Sequence, residues 1–340
     1  MPTPNSPRFS FPSRLGFGGA AIGNLFTAVD DEGARAAIDA AWDSGVRYFD
    51  TAPHYGLGLS ERRIGAALRD RPRDEFVLST KVGRILEPAP APGHIGSRDD
   101  QGFDVPATHI RRWDFSGDGV RRSIEESLVR LGLDRIDIAY LHDPDDHVDQ
   151  ALSEAYPALE KLREEGILRA IGVGMNQSAV PTRFVTETDI DVVLLAGRYT
   201  LLDQSGAEDL LPAAEARGVA VVLGGVFNSG LLADPRATAT YNYVPAPAEI
   251  IQKALDIESV CANYGVPLRA AALQFAFTHP AVAGALVGIR DADQARDCAA
   301  MAGVTVPETL WRDLRERGLI PKPVPARDHG VRSRDRDNEV

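Results

Sequence analysis

Three side chains able to hold charge or move a proton close three short apolar runs, and a fourth follows the first of them. Asp50 ends the run 47–51, Lys81 the run 76–82 and His142 the run 136–142, with Tyr55 in the turn after Asp50. Each run is mostly apolar, as a parallel strand covered on both faces must be. A lysine ammonium beside a phenol favours the phenolate and moves its pKa toward working pH. Asp50 can keep Lys81 charged, because a lone buried ammonium tends to lose its proton. His142 can hydrogen-bond a substrate oxygen next to Tyr55 and orient it. The set is suited to proton transfer at a hydroxyl or carbonyl, without a metal.

Each residue alone has a plainer explanation. An Asp or Lys at a strand end is commonly a cap or a structural ion pair. Tyr55 would serve as a packing residue, and His142 before Asp143-Pro144 as a turn residue. Packing does not explain all four together on the same rim. His54, His94, His109 and His147 lack such company and are read as loop residues.

The elements that must position these groups alternate regularly. Strands are expected at 15–19, 47–51, 76–82, 136–142, 170–174, 192–196, 220–223 and 284–288. Helices lie between them, one capped by Asp30 or Asp31, one by Ser60, and one ending near Gly132. This alternation, over a barrel-sized length without a linker, predicts an α/β fold, a single-domain (β/α)8 TIM barrel over residues 1–320. A doubly wound open sheet is the alternative. The stretch Gly16-Phe-Gly-Gly-Ala-Ala21 matches a dinucleotide-binding fingerprint only formally, because no helix follows at once. It reads instead as a strand end kept small for close approach. Residues 83–116 form a long interruption over the catalytic face, and 321–340 read as a mobile tail.

Composition narrows the function classes. The chain has 340 residues, 44% of them hydrophobic and 25% charged, enough for a large core. A net charge of −12 argues against nucleic-acid or membrane-surface partners. No run approaches a membrane span. Two cysteines, Cys261 and Cys298, fit a reducing compartment. A cytoplasmic protein is expected; its oligomeric state is left open.

The sequence resembles the aldo-keto reductase family. The resemblance rests on Tyr48-Phe-Asp-Thr-Ala-Pro-His-Tyr55-Gly with Ser60-Glu61, on Ser79-Thr-Lys81-Val, on Ser123-Ile-Glu-Glu-Ser-Leu, and on Leu141-His142. It continues through Glu164-Glu-Gly-Ile-Leu-Arg-Ala-Ile-Gly-Val and Leu286-Val-Gly. It implies a tetrad of Asp50, Tyr55, Lys81 and His142, with Tyr55 as acid in reduction and base in oxidation. Gly18-Gly-Ala-Ala-Ile-Gly-Asn, Trp113-Asp-Phe-Ser and Gly197-Arg-Tyr-Thr are similar to the family's sugar 1-dehydrogenases of L-fucose and D-threo-aldose type. L-Galactose and pyridoxal 4-dehydrogenases are similar too. The implied reaction is oxidation of an aldose's anomeric hydroxyl to a lactone.

The resemblance also implies a nicotinamide dinucleotide, NAD or NADP, on the C-terminal face. Its contacts would come from Gly18 and Gly19, from Asn176, from Phe227, Asn228, Ser229, Gly230 and Leu231, and from Gly288, Arg290, Gln294 and Cys298. The chain departs from the family pattern in places. Asn176 stands one position late, while Ala196 and Gly224 replace a glutamine and a ring-stacking aromatic. Gln294 replaces the arginine that grips the 2′-phosphate and Cys298 replaces the asparagine beyond it, so NAD is preferred. Alternatives are a carbonyl reductase using the same tetrad, an aldolase with a Lys81 Schiff base, and a nicotinamide-sensing regulatory subunit.

Overall fold

The computed structural model describes residues 8–90, 97–236, 240–242 and 244–321. The expected tail falls outside them except at Pro321, as does His94. Twelve strands form in the described residues. They are β1 (Leu15–Gly18), β2 (Tyr48–Asp50), β3 (Val77–Val82), β4 (Arg84–Pro88), β5 (His109–Trp113) and β6 (Ile138–His142). The rest are β7 (Ala170–Met175), β8 (Val192–Ala196), β9 (Ala220–Gly224), β10 (Thr240–Tyr241), β11 (Val244–Pro245) and β12 (Val282–Gly288). Eight close into a parallel barrel in the order β1-β12-β9-β8-β7-β6-β3-β2. All eight expected strands are present, with ends shifted by up to two residues.

Alternate residues of each strand enter the barrel. Tyr48, Val77, Ile138, Tyr140, Ala170, Val192, Leu194, Ala220, Val222 and Leu286 pack together there, joined by Phe9 and Phe11 from the chain before β1. The Phe11 ring lies 4.6 Å from that of Tyr48. The barrel is therefore filled below its C-terminal rim, and charge at the rim rests on a dry floor. The opposite strand faces meet the helices in one continuous core. No described helix is long and apolar enough to cross a membrane.

One local expectation holds and one changes. Asp30 caps the helix Asp31–Asp43, accepting from Gly33 N at 2.7 Å. Ser60, however, is no cap: the helix Leu59–Leu68 starts after Gly58, whose φ of 79° is left-handed. Ser60 is buried, donating to Gly19 O at 2.8 Å and accepting from Thr51 Oγ1 at 2.8 Å. It ties that helix to the rim instead.

The long interruption contains an ordered hairpin. β4 and β5 pair antiparallel, with Arg84 opposite Trp113 and Pro88 opposite His109. Leu86, Phe103 and Val105 form a small cluster with Leu57, against which Leu25, Tyr55 and Leu59 pack. Backbone bonds from Phe26 N to Gly102 O and from Asp104 N to Asn24 O, both 2.8 Å, pin the segment to the loop after β1. The sequences Arg-Ile-Leu-Glu-Pro and His-Ile-Arg-Arg-Trp do not alternate cleanly enough to announce strands.

Close helix packing holds β3 in place. Thr80 donates to the buried Glu61 of the helix Leu59–Leu68 at 2.8 Å, and Arg130 of the helix Gly117–Leu131 pairs with the same carboxylate. The helices approach so nearly that a Cβ on Gly65 would stand 1.7 Å from Leu131 O. Gly65→Ala should therefore cost about 1–3 kcal/mol through forced backbone movement, read as a lowered urea midpoint with an unchanged slope.

Candidate active site

Strand register brings the three charged rim residues together. Asp50 lies beside Ser79 of β3, Lys81 beside Tyr140 of β6, and His142 beside Gly174 of β7. Lys81 Nζ donates to Asp50 Oδ2 at 2.7 Å and to Thr51 O at 2.9 Å. Ser79 Oγ donates to the other carboxylate oxygen at 2.7 Å. The ammonium stands 4.6 Å from the centre of the Tyr55 ring. Burial pulls the Lys81 pKa down, but the negative charge of Asp50, then Tyr55, outweighs it and leaves the lysine above its usual value. The group thus stays a cation at working pH, next to a phenol.

His142 behaves oppositely. Burial drives its pKa well below the usual histidine range, and the cations Arg84 and Lys81 push it further. The imidazole is neutral, able to hydrogen-bond an oxygen without adding charge. Its Nδ1 is buried with no protein partner. A buried N–H without an acceptor is costly, so the proton belongs on Nε2. The ring centres of Tyr55 and His142 are 6.0 Å apart, nearly perpendicular.

His54, read from sequence as an idle loop residue, completes a triangle with them. Its ring lies 5.6 Å from His142 and 6.0 Å from Tyr55, with Phe103 of the hairpin segment 5.1 Å away. Arg111 donates to its carbonyl at 2.9 Å. Burial, then Arg84 and Arg111, lower its pKa to about 2. Its position next to Tyr55 in the chain was the only signal for it. Of the other histidines, His109 lies on β5, and His147 lies tilted against Trp113 and Phe115.

The other half of the rim is bare. Gly18 pairs with Gly288, and Ala196 with Gly224. A Cβ on Gly288 would meet nothing within 4 Å. Side chains small enough to expose the strand ends suit a flat group laid across them. Gly19 is small for another reason: Ser60 Oγ and Asp50 O fill its side-chain space, at 2.5 and 2.7 Å from a Cβ. After β9 the chain makes a turn in which Asn228, Ser229 and Gly230 have φ of 46°, 57° and 96°. The N–H groups of Asn228, Gly230 and Leu231 bond carbonyls within this turn. The side chain of Asn228 carries the fit: its oxygen and nitrogen are both buried without a protein partner. Phe227 is half-buried against the core and Leu231 fully buried.

Beyond β12, Asp291 caps the helix Ala292–Ala302 by accepting from Gln294 N at 2.8 Å, while Gln294 Oε1 accepts from Arg290 N at 3.1 Å. Gln294 is thus spent on shaping the helix start. Cys298 is buried among core residues and Asn176 is exposed at the end of β7, its carbonyl accepting from Arg198 at 2.7 Å. These residues circle the rim without converging as tightly as the charged four. Gly288 has open space at its side-chain position and Asn228 has unmet hydrogen bonds, whereas a Cβ on Gly18 would stand 3.2 Å from Val287 O.

Comparison with known proteins agrees with this geometry. The profile of the aldo/keto reductase family matches residues 14–316. The chain is 49% identical to D-threo-aldose 1-dehydrogenase of a Pseudomonas species, covering 91% of this chain and 95% of the relative. It is 40% identical to pyridoxal 4-dehydrogenase of Microbacterium luteolum, covering 90% and 94%. The solved holo form of an aldo-keto reductase from Bacillus halodurans superposes with a TM-score of 0.71 at 25% identity, covering 95% and 98%.

The two depressed imidazoles make stability depend on pH. Below about 6.5 the unfolded chain binds protons at these positions that the folded chain does not, so stability falls as pH drops. A urea midpoint measured at pH 7 and pH 5 should decline, and His54→Asn should shrink that decline. An equal decline in both proteins would contradict the assignment.

Proposed function

The chain belongs to the aldo/keto reductase family and is an NAD(P)-dependent oxidoreductase, and from that premise we propose that it oxidises the anomeric hydroxyl of an aldose to a lactone. The observation that carries the chemistry is the buried Lys81 ammonium, fixed by Asp50 at 2.7 Å and standing 4.6 Å from the Tyr55 ring. The substrate class is supported by the 49% identity to D-threo-aldose 1-dehydrogenase over nearly the whole of both chains.

In this reading Tyr55 takes the proton of the anomeric hydroxyl. Lys81 favours the phenolate by its charge, and Asp50 keeps Lys81 protonated and aimed. Neutral His142 donates from Nε2 to the reacting oxygen and sets its orientation. The nicotinamide ring, when bound, supplies the hydride acceptor. Gly18, Gly288 and the Asn228 side chain would hold the dinucleotide, the bare strand ends taking its flat parts and the unpaired amide its polar groups. Phe103, its ring 6.0 Å from that of Tyr55, would help to keep water from the developing charge. A cytoplasmic setting goes with the two buried free cysteines.

NAD is the preferred form. Asp291 and Asp293 stand at the start of the helix after β12, and Arg296 is already paired with Asp293 at 2.9 Å. An extra phosphate there would meet carboxylates with Arg290 as the available cation. We expect tighter binding of NAD than NADP by direct titration; NADP tighter by more than tenfold would reverse the preference. The 40% identity to pyridoxal 4-dehydrogenase supports a second reading, pyridoxal as substrate of the same tetrad. Turnover of pyranoses against pyridoxal separates the two.

Tyr55→Phe should abolish hydride transfer, a loss of at least about a hundredfold, while NAD binding followed by fluorescence persists. Unchanged turnover would refute the role given to Tyr55.

A further inference from the structure

The reaction as derived uses Asp50 and Lys81, yet the carboxylate is also the end point of a buried hydroxyl chain with no assigned role. Ser79 Oγ lies 2.7 Å from Asp50 Oδ1, Tyr48 OH lies 3.1 Å from Ser79 Oγ, and Tyr140 OH lies 3.1 Å from Tyr48 OH. Tyr48, Ser79 and Tyr140 are completely buried in the barrel. The direction of the chain follows from counting hydrogens. A carboxylate only accepts, so Ser79 gives its one proton to Asp50. Ser79 must then accept from Tyr48, and Tyr48, its own proton spent, must accept from Tyr140. Three hydroxyl donations thus run in one sense and end on one oxygen of Asp50. Such chains polarise one another in a dry interior.

We propose that Ser79, backed by Tyr48 and Tyr140, is a positioning residue that tunes proton transfer at Tyr55 by sharing the charge of Asp50. The carboxylate has two oxygens and two demands upon it. Oδ2 holds Lys81, and Oδ1 is satisfied by the hydroxyl chain. With Ser79 in place, part of the negative charge is spread into the barrel, so the carboxylate cancels less of the positive field that Lys81 exerts on the phenol. Without the hydroxyl, Lys81 stays protonated but the undiluted Asp50 charge offsets more of that field, and Tyr55 needs a higher pH to act as base. Burial raises the pKa of both tyrosines well above the phenol range, so the chain stays protonated and the dipoles stay aligned.

The inference rests on Tyr55 being the proton-transfer group, which Tyr55→Phe tests separately. The experiment is the pH dependence of kcat/KM for aldose oxidation in the unaltered enzyme, Ser79→Ala and Tyr48→Phe. The unaltered enzyme should rise with pH along one limb. In Ser79→Ala that limb should move up by about half to one pH unit. Activity should fall roughly threefold to tenfold at pH 7 and recover at alkaline pH. Tyr48→Phe, which removes only a hydroxyl, should move the limb the same way by a smaller amount. NAD affinity should not change in either. A limb that stays fixed in both variants, or a loss equal at every pH, overturns the proposal. Should Ser79→Ala fail to fold, Tyr48→Phe alone decides. No rising limb in the unaltered enzyme overturns both this inference and the role of Tyr55.

Discussion

A single buried ion pair organises the catalytic half of this barrel. Lys81 and Asp50 sit at 2.7 Å with almost no exposure, in a medium where an unpaired ammonium or carboxylate is severely penalised. Neither charge is tolerable without the other, so each constrains the strand that carries it. Around the pair the chain supplies further donors and acceptors: the Thr51 carbonyl for the ammonium, the Ser79 hydroxyl for the carboxylate. The two histidines are the reverse case. With Lys81, Arg84 and Arg111 nearby, an additional positive charge is unaffordable, and both rings remain neutral. A paired Lys81 cation beside neutral imidazoles is the electrostatic state in which a phenol can trade a proton with a hydroxyl.

The two halves of the rim differ in how far the sequence revealed them. The charged half was legible because strands announce themselves as apolar runs, and a polar residue at the end of such a run has only one place to go. Asp50, Lys81 and His142 obey that logic. His54 does not, since it belongs to a loop and its approach to His142 depends on how the segment Ala52–Leu57 turns. The hairpin β4–β5 was hidden because its alternation is broken by adjacent arginines and flanking prolines. Ser60 looked like a helix cap by residue type, but the left-handed Gly58 had already started the helix. Side-chain type alone cannot distinguish a serine that caps from one that binds two elements together.

On the bare half, residue type pointed to position but not to engagement. The turn Asn228-Ser229-Gly230 is where dinucleotide contacts are implied, yet the backbone amides of Asn228 and Gly230 are consumed by the turn itself. What remains available is the amide side chain of Asn228, an unmet pair of hydrogen-bonding atoms that no pattern in the sequence singles out. Gln294 and Cys298, which occupy positions marked by family resemblance, are given over to the helix start and the core.

The hairpin has a consequence for how such an enzyme could change over time. Its two ends, Arg84 and Trp113, are opposed in register, and Asp114 N closes onto Gly83 O at 3.0 Å. The excursion therefore leaves the barrel and returns at one point, costing the scaffold little in closure entropy whatever its length. It brings Phe103 against His54 and Tyr55, Arg111 onto the His54 carbonyl and Arg84 onto Asp143, while contributing nothing to the parallel sheet. A segment rooted at one point can vary at its far end without disturbing the sheet, while the part that packs on Tyr55 and holds the His54 carbonyl is tied to the proton-handling residues.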